Sequence, residues 1–135
     1  MNEEFCLERM VSWDLPEGTH VGTLVEFGEY AQTTRTGVKK YFRLVFEVEA
    51  EGDAYIEYRA QKRYVLNDKT GAKLTATLRH WLGKEEFERN PGITLLELLE
   101  RKARLVIGHL QGAGHKKPFS VVKKILPFKA QRAGK

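Results

Sequence analysis

A mainly β fold, five strands interrupted once by short helices, is predicted by three features of the sequence. Alternation of apolar and polar side chains runs cleanly through residues 40–49 and less regularly through 19–32 and 55–66. A single stretch, residues 74–82, spaces its apolar side chains for a helix instead. Alternation then resumes over residues 103–110 and 119–128, on either side of the glycine-bearing loop GAGHKK.

The first strand starts after the turn-like LPEG. Val21, Thr23, Val25 and Phe27 share one parity, and Gly28 breaks the run as a bulge or sharp bend does. TRTG is the tip of a hairpin, with Gly37 free to take a positive φ. In the second strand Phe42, Leu44, Phe46 and Val48 alternate with Tyr41, Arg43, Val45, Glu47 and Glu49. EGDA turns the chain into a third strand, YIEYRAQKRYVL. Its even positions are mostly apolar (Ile56, Tyr58, Ala60, Tyr64, Leu66), and its odd ones include Glu57, Arg59, Gln61 and Arg63. Beyond NDKTG, Leu74, Leu78, Trp81 and Leu82 form one stripe of a short helix that Gly83 stops. The acidic stretch 84–88 is expected to be a solvated connector. Thr94-Leu-Leu-Glu97 fits a capping box opening a further turn or two of helix, to about Arg101. The fourth strand turns Ala103, Leu105 and Ile107 inward, and the fifth ends the domain. Three meandering strands, one or two short helices and a closing hairpin follow the order of the five-stranded Greek-key barrel, the OB-fold. A small α+β sandwich fits the same order.

The 135 residues suit a single domain that buries its own core. It is expected to span residues 1–128, with roughly the first 18 as an arm or extension, and residues 129–135 are expected to be a basic disordered tail. The net charge of +5 is unevenly spread: residues 1–53 carry five basic and eleven acidic side chains, and residues 101–135 carry ten basic and no acidic ones. Such asymmetry is the mark of a protein that meets a polyanion. Cys6 is the only cysteine, which precludes an internal disulfide and suits a reducing compartment. The opening MNEEFCLERM is acidic where a secretory leader is basic, and the longest uncharged run, 105–115, is too short to cross a bilayer. A cytoplasmic protein without membrane contact is expected. His20, His80, His109 and His115 fall on different elements without ligand spacing, and GAGH lacks the Lys-Ser/Thr of a phosphate loop. Asp53 and Glu57 do not make the carboxylate cluster of a metal-dependent nuclease. No catalysis, cofactor or metal is expected.

An OB barrel holds its ligand across the second and third strands, between the loop joining strands one and two and the loop joining strands four and five. All four places are basic here. The first loop offers Arg35, Lys39 and Lys40, and the second strand adds Tyr41 and Arg43. The third strand supplies Arg59, Gln61 and Arg63, with Lys62 and Tyr64 near its end. The second loop carries His115, Lys116 and Lys117. Single-stranded nucleic acid needs cations along its phosphates and aromatic faces under its bases. Parity puts Tyr41 on the contact face. Tyr58 and Tyr64 fall on the core row, with Tyr64 also a candidate for stacking at the strand's end.

Two longer stretches, KRYVLNDKTGAKLTATLRHWLGKEEF and LLELLERKARLVIGHLQGAGHKKPFSVVKKILP, resemble the single-stranded-DNA-binding OB-fold proteins of bacteriophages and prophages. The resemblance lies in Lys62-Arg63 ending a strand, Trp81-Leu82-Gly83 ending a helix, the hydrophobic residues 95–99, His109 ending a strand and Ile125-Leu126-Pro127 closing the last. The opening LPEGTHVGTL is similar to that family's start, and together these cover residues 15–128. The resemblance implies sequence-tolerant coating of single-stranded DNA in phage-type replication or recombination, in the cytoplasm of a bacterial host. The implied partners are the DNA strand and other replication or recombination proteins, with a homodimer among the open oligomeric states. The sequence differs from well-known replicative binders in ending on the basic AQRAGK instead of an acidic tail. The rival expectation, from a different class, is an OB-type assembly module whose basic surface meets an acidic protein.

Overall fold

The computed structural model describes residues 10–50, 55–90, 92–111 and 118–128. They form one six-stranded mixed sheet in the order β1-β4-β3-β2-β5-β6, with two helices. The strands are β1 (Met10–Ser12), β2 (Gly18–Thr34), β3 (Gly37–Val48), β4 (Ile56–Val65), β5 (Lys102–Leu110) and β6 (Phe119–Pro127). The five predicted strands are β2 to β6. The expected closed five-stranded barrel needs two corrections: a sixth strand, β1, runs parallel on the lower edge of β4, and among the described residues no ladder joins β4 to β6.

The β2–β3 hairpin turns tightly at Arg35-Thr36, pairing Thr34 with Gly37 and continuing in register to Tyr30 opposite Tyr41 and Gly28 opposite Arg43. A register shift between Leu24 and Glu26 makes Val25 the bulged residue, and Gly28 stays within the ladder. An extra residue at a bulge reverses the faces beyond it. Leu24 and Phe27 therefore both turn to the core, although they differ in parity. Val21, Thr23, Val25 and Phe27 do not share one face as their spacing predicts.

The core lies under β2, β3 and β5 and is closed by helix α1 (Thr70–Leu82). Leu24, Leu44, Phe46, Leu105 and Leu98 are fully buried, and Trp81 fits among them edge-on to Phe46 at 5.5 Å between ring centres. Its indole Nε1 donates to the Lys102 carbonyl at 3.0 Å, tying the helix end to the start of β5. Gly83 ends α1 at φ 86°, a backbone angle that favours glycine. The acidic stretch forms a second helix, α2 (Lys84–Arg89), and is not the connector its charge predicts. Phe87 gives it an apolar anchor on the core. The capping box does form: the Thr94 N–H donates to the Glu97 carboxylate at 2.8 Å, and the Glu97 N–H donates to Thr94 Oγ1 at 3.4 Å. It opens only one 3₁₀ turn, Leu96–Leu98, because the chain leaves through Glu100 at φ 67°, whose N–H donates to Leu24.

Near Ala60 and Gln61 of β4 and Ser120 of β6, the open seam is occupied by the segment that follows β1. Leu15 is buried in the core, and its N–H donates to Ser120 Oγ on β6 at 2.9 Å. Its carbonyl accepts from the Ser120 hydroxyl and from His109 Nε2 on β5. Trp13 lines a small cavity together with Ala60, Gln61 and Val122. The part of the predicted N-terminal arm that is described thus packs as an integral layer. Cys6, the whole of the EGDA turn, most of the loop carrying His115, Lys116 and Lys117, and residues 129–135 lie outside the described residues. Among the described residues no helix is long and apolar enough to cross a membrane.

Arg101, just before β5, clamps Glu86 of α2 through two hydrogen bonds of 2.7 and 2.6 Å. These bonds hold the Glu86 carboxyl below the usual carboxylate pKa. A folded value below the unfolded one stabilises the fold above pH of about 4.3 and loses that effect as pH falls through the folded value. Both side chains are over a third exposed, so the gain is that of a surface pair, about 0.5–1 kcal/mol. Arg101→Met is expected to lower stability to urea by that amount at neutral pH and to have little effect in strong acid. An equal loss at both pH values would assign the effect to packing instead.

Candidate nucleic-acid interface

The side of the sheet away from the core is built from matched rows on β2, β3 and β4. Tyr30, Tyr41 and Val65 form the row nearest the hairpin tip, and Gly28, Arg43 and Arg63 form the next. Glu26, Val45 and Gln61 follow, then Thr23, Glu47 and Arg59. Strand alternation places all of these on one face.

The first two rows interlock. The Tyr30 and Tyr41 rings stack at 5.3 Å and 23°. The Arg43 guanidinium lies 4.9 Å over the Tyr30 ring, and that of Arg63 lies 4.9 Å over the Tyr41 ring. Arg63 Nη1 also donates to the Tyr30 hydroxyl at 3.1 Å. Arg43 is steadied by Glu26 Oε2 at 3.2 Å and Gln61 Oε1 at 3.4 Å. Gly28, opposite Arg43, has φ 153° and open space where a Cβ would stand. A residue with a Cβ would be strained at that backbone angle, although its Cβ would meet nothing. Two aromatic rings flanked by two cations form a flat, positively charged platform, half-buried at its base and open above.

The face changes character along its length. Arg35, Lys39 and Lys40 are exposed around the hairpin tip beside the platform. At the far end Glu47, Glu49 and Glu100 line an acidic cleft of about 590 Å³ with Tyr58. Arg59 belongs to that end and is held by Glu57, so its charge is locally balanced. The sequence groups Arg59 with Arg63, but the structure groups Arg63 with Arg43.

Lys62 and Tyr64 fall on the other side of β4. Lys62 pairs with Leu44 in the inward row and donates across the seam to the Val122 carbonyl at 3.3 Å. Tyr64 is 7% exposed, with its hydroxyl bonded to Thr77 of α1. Burial pushes that hydroxyl's pKa above the ordinary tyrosine value, partly offset by the Thr77 bond. Tyr64 is the packed ring that parity favours, with no face free to stack a base.

Tyr30 belongs to the platform although strand parity alone does not single it out. A signal for it existed: a two-residue tip at Arg35-Thr36 sets Tyr30 directly across from Tyr41. Beyond the platform, Tyr41, Gln61 and Arg63 form one wall of a cleft of about 510 Å³, whose other wall is residues 119–122 of β6 with Leu110. The chain matches no protein-family model, and no curated protein is significantly similar to it.

Proposed function

We propose that this chain is an OB-type protein that binds single-stranded DNA with little regard to sequence, coating strands during phage-type replication or recombination. The strand succession β4-β3-β2-β5-β6 supports the OB reading. It is the order of such a barrel unrolled between its third and fifth strands, with the segment through Leu15 occupying part of the gap. The observation that carries the functional reading is the Arg43–Tyr30–Tyr41–Arg63 stack on the outer face of the central strands. The ring pair and the guanidinium planes laid on it together offer π-surfaces to unpaired bases of any identity, and the guanidiniums and tip lysines meet phosphates, so the surface favours strand form over sequence.

Fluorescence anisotropy with a labelled oligothymidine and a duplex of equal length, each at two salt concentrations, tests this. The single strand is expected to bind more tightly than the duplex and to weaken with salt, by a slope near −0.7 per phosphate contacted. Salt-insensitive or absent binding would refute the proposal and point to an acidic protein partner. Equal affinity for duplex would also refute it, since buried base edges leave nothing for the rings to stack on.

A further inference from the structure

A second basic cleft, of about 510 Å³, lies between α1, β4 and residues 123–126 of β6. Lys62, Lys73, His80, Lys123 and Lys124 line it, and among the described residues no carboxylate does. Its floor is apolar, from Ala76, Ile125 and Leu126, with the Tyr64 and Thr77 hydroxyls at one side. Lys62 is also a wall of the cleft beside the platform, and the two clefts use successive stretches of β6. They therefore run end to end along the β4–β6 seam. The ladder to β1 stops at Tyr58, which leaves the upper part of β4 free to face this seam.

We infer that a single strand leaving the Tyr30–Tyr41 platform turns over the edge of β4, crosses at Lys62 and continues into the α1–β6 cleft. This rests on the proposed single-strand binding and extends it to a second segment of the same ligand. Charge dictates the direction. Straight on along β3 and β4 the path meets the carboxylates of Glu47 and Glu100, and Glu49 held by Lys102 at 2.8 Å, whereas the seam offers cations on both sides and no carboxylate among the described residues that line it. The apolar floor suits bases or sugars, and the lysines on the rim suit the backbone. The protein then occupies more nucleotides than the outer face alone can cover.

The test uses the full chain with oligothymidines of about four and about sixteen nucleotides, the span of site sizes seen for one OB-fold. The variant is Lys73→Gln with Lys124→Gln, both exposed and away from the platform. Affinity for the short strand is expected to stay unchanged, which also shows that the variant is folded. Affinity for the long strand is expected to fall about tenfold, with the salt slope flatter by about 1.4 for two lost contacts. Unchanged binding of both lengths, or an equal loss on both, would overturn the second segment while leaving the platform standing. Failure of the unmodified protein to bind either length would instead remove the platform reading, and this inference with it.

Discussion

Trp81→Ala is expected to be the most destabilising single change in the domain. Trp81 is 1% exposed, packs edge-on against Phe46 and holds the Lys102 carbonyl through its indole N–H. Removing it opens a cavity at the point where α1 meets β3 and β5, and leaves the part-buried Lys102 carbonyl without this donor. Truncations of this kind cost about 3–5 kcal/mol, against about 5–15 kcal/mol for a whole domain. Thermal unfolding should move down by on the order of 10–20 °C. Trp81→Phe divides the loss. It keeps much of the ring contact and sacrifices the hydrogen bond, so its cost should fall nearer 1–2 kcal/mol. If Trp81→Ala unfolded within 1 kcal/mol of the unmodified chain, judged by urea midpoints, α1 would not be the closing element described here.

The helix was legible because its cause is local. Leu78, Trp81 and Leu82 recur at helical spacing, and Gly83 follows with the backbone freedom a helix stop requires. Strands β3 and β4 were legible for the same reason: alternation dominates each despite Val45 on the outer row and Lys62 on the inner one, so Phe46 and Ala60 could be placed inward, with Arg43 and Arg63 outward. What could not be read depends on residues distant in sequence. The bulge at Val25 has no glycine or proline to announce it, yet it decides that Leu24 and Phe27 share the core. Strand β1 is only three residues, too short for any periodicity, and exists because β4 offers it an edge. Helix α2 reads as a charged linker until Phe87 finds the core and Arg101 clamps Glu86. At the interface, residue types were readable but partnerships were not. Arg59 and Arg63 look equivalent in sequence, and only the fold shows one held by Glu57 and the other lying on Tyr41.

That distinction shapes the other large expected effect, on binding. Tyr30→Ala and Tyr41→Ala should each weaken single-strand affinity by about 5- to 150-fold, the range for losing one base–ring stack. The two losses should not add, because each ring is the other's support and removing either tilts its neighbour. Since neither change removes a cation, the salt slope should remain as in the unmodified protein. Arg43→Gln with Arg63→Gln should behave in the opposite way, flattening the slope by about 1.4 while the rings remain. Tyr30→Phe removes the hydroxyl that Arg63 donates to but preserves the stack, so it should bind nearly as well as the parent. Stability is the control, because the half-buried ring pair adds about 0.5–1.5 kcal/mol to folding beyond what its burial contributes. Full affinity in a folded Tyr30→Ala, Tyr41→Ala double variant would mean that bases never rest on these rings. Binding would then be carried by Arg43, Arg63 and the hairpin-tip cations alone, with the rings serving only to hold the guanidiniums in place.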